Sequence, residues 1–482
     1  MAAVPPRTPR AAAPALLLAL ALAACDGGGS GGPDAQTPGP QPGGVTVGTV
    51  PTLPPGLPAP YLSGVIPTLV PPRPDSVTTP QGSRPWFDVF SWQSFIALTW
   101  PAGQTRGTAQ SPADSAAYLN AANGSTRVFS TYKESWELFG QGTNRPTAFT
   151  DWNSALEPCG GLQPGQTAFT FTSKGNAFFN AAAESFSFPL VDQQRGYTMF
   201  SVRYNQAQYD TIRGADGDST SWLYLSRYLA PYLTGSTPFT MPASDSTGNL
   251  GALMIKSAWR PLTAQDDTSK FYYITAQVAT DRSGQSCKPV LMGLVGFHIA
   301  QKQVGFPTWI WSSFEHVSNV PGPGSRAPYS YNNGLDTPQS ATGYSYRPAA
   351  NSPLTDSTPR PVQVSRTNPI PVTPQGSSTQ DINAIYQSFL GNTVWSNYQL
   401  VITQWPSDPN DPQSPFLVPA AGGLYPDNAG LPFPQDSATN VTMETYFQTL
   451  GDAAATGGNS CMSCHYQAGS TDFSWGLMRR SH

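Results

Sequence analysis

The run Cys461-Met462-Ser463-Cys464-His465 restricts the fold more than any other feature, through its chemistry and its place. Two thiols at this spacing add across the two vinyl groups of a haem, and the adjoining histidine is set beneath the iron. Two rival readings share the residues. A redox dithiol asks for a βαβ context, and none precedes the run. A zinc site asks for a second ligand pair at short spacing, and none is present. The motif occurs once, which implies one covalent haem c per chain. Only residues 466–482 follow it. A small class-I cytochrome c fold, which starts from its haem motif and draws a methionine ligand from well downstream, cannot be built on that remainder. The haem is therefore expected at the C-terminal edge of a larger scaffold, with its sixth ligand from the upstream body, from the extreme tail, or absent.

The N-terminus reads as an address. Arg7 and Arg10 precede the apolar run Ala11–Ala24, which is too short to span a bilayer as a mature helix and has the shape of a secretory signal. It ends Leu22-Ala23-Ala24-Cys25, which resembles a bacterial lipoprotein signal. That resemblance implies cleavage before Cys25, a diacylglycerol on its thiol and an acylated new N-terminus, giving a stable anchor. Asp26 follows, which in some bacteria favours the inner membrane. Residues 26–85 hold 15 Pro and 12 Gly, so they are expected to be a tether, with a globular body from 86 to 482.

Five cysteines can then be assigned. Cys25 goes to lipid and Cys461 and Cys464 to haem. By elimination, Cys159 and Cys287 are left to pair as a disulfide in an oxidising compartment. Charge excludes one class of partner. With 25 Lys and Arg against 29 Asp and Glu, the chain lacks the basic face that nucleic acid needs. At 39% hydrophobic content it is no disordered polyelectrolyte.

The body is expected to be α+β, strand-leaning and loop-rich. Tyr197–Tyr204, Phe271–Thr280, Val290–Lys302, Thr308–Val317 and Gln399–Trp405 are rich in β-branched and aromatic residues and read as strands. The third and fourth form a hairpin through Gly305. Ser378 with Asp381 starts a helix that Gly391 stops, carrying an apolar stripe of Ile382, Ile385, Tyr386, Phe389 and Leu390. Shorter helices are expected over Pro112–Leu119, capped by Ser111, and over Val441–Leu450, capped by Asn440. The second would lead into the motif through Gly457–Asn459. Residues 319–377 read as a long loop, packed on the body or covering it. The aromatic runs Trp92–Trp100, Trp309–Trp311 and Trp395–Trp405 read as core.

Four histidines exist: His298, His316, His465 and His482. With His465 taken as proximal ligand, the distal candidates are His316 and His298 in the hairpin, then Met443, Met478 and His482, or an open position. Glu315 beside His316 suggests a polar distal pair for proton movement. A second version is a non-haem site of His298, His316 and Glu315, although adjacent strand residues face opposite ways. Tyr446, Phe447, Tyr466, Phe473 and Trp475 would wrap the haem or relay oxidising equivalents. Lys256, Trp259 and Arg260 are candidates for the propionates.

At the lipobox and at CxxCH the chain resembles exported bacterial c-type cytochromes. The runs Phe314-Glu315-His316, Asn397-Tyr398-Gln399-Leu400, Gln404-Trp405-Pro406 and Ser460-Cys461-Met462-Ser463-Cys464-His465 are similar to a cytochrome c-like family. That resemblance implies haem attachment at Cys461, Cys464 and His465, and no established activity. The expected role is electron transfer by a lipid-anchored, extracytoplasmic protein, with an unidentified redox partner or substrate. The alternatives are haem-dependent oxidation at an open iron, or a haem-containing ligand-binding or sensing lipoprotein.

Overall fold

The computed structural model describes residues 52–74, 76–77, 80–152, 158–169, 188–281, 284–335, 343–349, 356–373, 375–406, 432–433, 440–448, 461 and 465–480. Cys25, Cys464 and His482 lie outside the described residues, as do the whole signal and the Gly457–Asn459 linker. The fold is α+β and strand-leaning, built on a curled sheet. Its strands are β1 (Lys133–Glu134), β2 (Ala168–Phe169), β3 (Met199–Tyr204), β4 (Leu253–Pro261), β5 (Tyr273–Ala279), β6 (Cys287–Gln303), β7 (Phe306–His316), β8 (Tyr398–Pro406) and β9 (Pro432–Phe433). The order is β1-β3-β4-β6-β7-β8-β9, antiparallel throughout, with β5 beside the first half of β6 and β2 parallel to β5. All five expected strands and the β6–β7 hairpin are present.

One face of the sheet packs against α1 (Pro80–Leu98) and α3 (Thr379–Leu390). Trp92 of α1 stacks on Tyr386 of α3 at 5.2 Å, and Phe95 stacks on Phe314 at 4.5 Å and meets Phe297 edge-on. Each such aromatic pair adds about 0.5–1.5 kcal/mol beyond area burial. The helix α3 has the expected reciprocal cap between Ser378 and Asp381, with Gly391 at its end. Helix α1 has no counterpart in the sequence reading. Every residue from Ser83 to Trp100 is buried, so no solvent face breaks its pattern into a stripe. Its polar residues reach neighbouring elements instead: Asp88 accepts from Thr379 and Thr403, and Ser91 meets Ser312.

Three expectations are corrected. Leu53, Leu57, Leu62 and Ile66 pack on the main core and Val70 on a cluster with Phe87, so the body reaches well ahead of Trp86 into the expected tether. The helix expected from Pro112 is a single turn, α2 (Ser115–Leu119), capped by Asp114. Ser111 has φ of +42° and cannot serve as an extended N-cap. Val441–Leu450 is not a helix over its described part. It is a turn followed by the 3-10 turn Thr445–Phe447, because Asn440 ties it to the sheet at the Phe314 carbonyl and Glu444 closes the turn back on the Asn440 N–H. In the long loop, Val320, Tyr331, Val362 and Val364 are buried in a second cluster with Val441 and Met443, so its described parts are packed on the body.

The expected disulfide is formed. Cys159 and Cys287 are bonded, with Cα atoms 5.1 Å apart, joining the turn Pro158–Gly160 to the start of β6. No described helix is long and apolar enough to cross a membrane.

Candidate functional site

The sheet face opposite α1 and α3 receives the chain's C-terminal segment. Trp311 of β7 and Gln404 of β8 are register partners there. The Cys461 backbone N–H donates to Gln404 Oε1 at 2.8 Å, and the His465 ring lies 4.3 Å from the Trp311 ring. Both ends of the CxxCH motif are thus seated on one cross-strand pair.

The segment that follows His465 is pinned more firmly still. Asp472, in a left-handed conformation at φ +48°, accepts from Lys302 Nζ at 2.8 and 2.9 Å and from the Met241 N–H at 2.7 Å. Leu477 enters the main core from α4 (Trp475–Arg480). A Cβ on Gly476 would stand 2.1 Å from Tyr204 Oη, so only glycine lets α4 approach the sheet this closely. The resulting turn brings the Phe473 carbonyl back to His465 Nδ1 at 2.7 Å. That bond makes Nδ1 the protonated nitrogen, and Nε2 makes no hydrogen bond with the described residues.

His298 sits on the same face, in the row next to Trp311. Its register partners are Lys256 on β4 and Ser313 on β7. The residues Gly296 and Ala300 flank it on its own face of β6. A Cβ on Gly296 would lie 2.2 Å from Thr442 Oγ1, so this glycine lets 440–444 lie flat on the sheet. Asn440 donates to the Phe314 carbonyl at 2.7 Å, and its own N–H is accepted by Glu444 Oε2 at 3.0 Å. That carboxyl oxygen lies 3.7 Å from His298 Nε2.

Burial and charge set the protonation states. Desolvation, with Lys256 and His465 adding to it, pushes His298 down to about 3. Desolvation pushes His465 down to about 4 against the Phe473 bond that raises it. Burial pushes Glu444 up to about 7, with Lys256 acting the other way. The contact of His298 with Glu444 therefore joins a neutral imidazole to a carboxyl and is no ion pair. Neutral imidazole is also the form that ligates metals.

Glu444 yields a prediction. Its folded-state proton affinity exceeds that of an unfolded glutamate. The resulting cost to stability is absent below the ordinary glutamate range, grows as pH rises toward 7, and is complete above it. With 27% of the side chain meeting water, the cost is discounted to roughly 2 kcal/mol. Glu444→Gln is expected to raise the urea midpoint at pH 8 and to leave it unchanged near pH 4. An equal gain at both pH values would refute the assignment.

The other sequence candidates are placed elsewhere. His316 faces the helix side of the sheet, stacked on Phe271 at 4.1 Å. Its Nε2 bonds the Lys270 carbonyl at 2.9 Å and its Nδ1 accepts from the Ser318 N–H at 3.1 Å, so both nitrogens are taken. Glu315 faces the other way, paired with Arg366 and accepting from Gln399 and the Val441 N–H. The pair Glu315–His316 is therefore split across the sheet, and His298, His316 and Glu315 do not converge. Among the described residues no three His, Cys, Asp or Glu side chains gather as a metal site. Arg260 is held by Asp192 and Asp266, and Trp259 lies in the main core, which leaves Lys256 of that trio beside His298. Met443 is buried in the second cluster, and Tyr446 donates to the Pro189 carbonyl there.

Lys302, Asp472, Gln404 and Glu444 were not among the sequence candidates. Their spacing to the motif carries no signal, because each is joined to it only by the fold. Trp311 had been assigned to the core alone. No family model matches the chain, and no curated protein or solved structure matches it either.

Proposed function

We propose that this chain is a lipid-anchored, extracytoplasmic electron-transfer protein carrying one haem c. Cys461 and Cys464 hold the haem by thioethers and His465 is its proximal ligand. The observation that supports this best is the state of His465, which follows a CxxC pair in the sequence: neutral, with Nδ1 committed to a carbonyl and Nε2 making no hydrogen bond with the described residues. A second partner on Nδ1 fixes the ring and its tautomer, which is how ligating histidines are ordinarily oriented. The donor set therefore fits the group. When bound, the haem supplies a one-electron couple.

The chain's own residues have clear tasks in this reading. Trp311 and the Phe473 turn hold the imidazole against a rigid sheet. The Lys302–Asp472 pair keeps the turn docked. The apolar neighbours of Cys461, which are Ile370, Val401 and Ile402, keep water from the attachment face. A dry surround and a fixed ligand are the levers that set a haem potential.

The test is expression with c-type haem attachment machinery, followed by acid extraction and a pyridine haemochrome. Haem is expected to stay with the wild-type polypeptide and to be absent from Cys461→Ala/Cys464→Ala. A mediator titration is expected to show one reversible one-electron step. Haem that extracts into solvent, or none at all, would return the cysteines to a dithiol or metal role.

A further inference from the structure

We propose that His298 is the second axial ligand of this haem. The inference rests on the proposed function and names the residue that completes its site. Three features of the structure lead to it.

The first is an orphaned atom. His298 Nε2 is buried and has no hydrogen-bond partner among the described residues, and Glu444 Oε2 at 3.7 Å is too far to supply one. A buried polar atom left in this state is costly and calls for an explanation. A ligand bond provides it.

The second is placement. His298 and Trp311 stand on one face, in adjacent rows of the paired strands β6 and β7, and His465 rests on Trp311. Cross-strand and diagonal neighbours of this kind lie within reach of long side chains. β6 is paired on both sides at His298, so the ring is carried by one of the most constrained strands of the sheet. Ala300 on one side of it adds little bulk, while Gly296 on the other is covered by Thr442.

The third is the fate of two competitors, His316 and Met443. Both His316 nitrogens are bonded to backbone on the far face, and Met443 is packed among Val441 and Tyr446. Two histidine ligands leave no open position, which favours electron transfer over small-ligand chemistry.

The test uses the holoprotein. The wild type is expected to be low-spin in both oxidation states and unmoved by carbon monoxide. His298→Ala is expected to become high-spin, to bind carbon monoxide when reduced, and to regain the low-spin spectrum when imidazole is added. His298→Gln, which keeps bulk and polarity, is expected to lose the low-spin spectrum as well. Met443→Leu and His316→Gln are expected to keep it. Covalent haem with a spectrum unmoved in both His298 variants overturns the inference and leaves the proposed function standing. So does a wild type that binds carbon monoxide, or a low-spin spectrum lost in Met443→Leu. Absence of covalent haem from wild type and variants alike overturns the function itself.

Discussion

Asp472→Ala is expected to cost about 3–5 kcal/mol of folding stability, because it removes the carboxylate that faces a buried Lys302 ammonium. The two side chains are 6% and 5% exposed and meet at 2.8 Å. Removing the carboxylate withdraws the counter-charge that meets Lys302 at 2.8 Å and takes the acceptor from the Met241 N–H as well. Burial already pushes Lys302 below its ordinary range, and Asp472 opposes that push. Without Asp472 the ammonium sheds its proton more easily. In the variant, folded Lys302 then binds fewer protons than the unfolded chain, so stability should rise with pH and the deficit should narrow on the alkaline side. The pair Lys302→Met/Asp472→Asn removes both charges, suits the left-handed position and keeps an acceptor for the Met241 N–H, and is expected to recover most of the loss. Urea unfolding followed by tryptophan fluorescence reads all three. A single variant within about 1 kcal/mol of wild type would mean that the C-terminal segment is not held by this pair. The consequence for function is direct. The turn that Asp472 anchors supplies the Phe473 carbonyl to His465, so the same substitution should loosen the haem site and broaden its spectrum.

How much of this was legible in the sequence depends on whether the signal is local. The strands β3, β5, β6, β7 and β8 are rich in β-branched and aromatic residues, and their runs show it. The α3 helix has a cap, a stripe and a stop, all within its own length. β4 and α1 lack such marks because they are buried on more than one side, which erases the contrast that periodicity needs. At the site, the motif announced Cys461, Cys464 and His465, and the scarcity of histidine drew attention to His298 and His316. Sequence gave no way to rank the two, since the choice depends on sheet face. Register separates them: His298 shares a face with Trp311, whereas His316 stands with Phe271 and Tyr398. Lys302, Gln404 and Asp472 were invisible because their partners are distant in the chain.

Removing the disulfide should separate stability from the proposed haem site. The bond between Cys159 and Cys287 closes a sequence separation of 128, and on the chain-entropy account its loss should cost about 4–5 kcal/mol. Cys159→Ser/Cys287→Ser is expected to lower the unfolding free energy by that amount, and the urea midpoint with it, through a denatured chain that gains freedom. Cys287 opens β6, while His298 lies roughly 35 Å of strand further on. Between them β6 is paired with β5 along its first half, and with β4 and β7 on its two sides around His298. The folded variant should therefore keep its haem spectrum and its response to carbon monoxide. This contrasts with Asp472→Ala, where stability and spectrum are expected to change together. The cysteine variant must be made with the CxxCH motif intact, so that thiol loss does not remove the haem. If its spectrum shifts while the protein remains folded, the strain of the free turn at Pro158–Gly160 is transmitted along β6, and the sheet is a softer support for His298 than its pairing implies. If the midpoint does not move, the reduced chain is already constrained near this turn, where the Cys159 N–H donates to the Gly284 carbonyl at 2.7 Å.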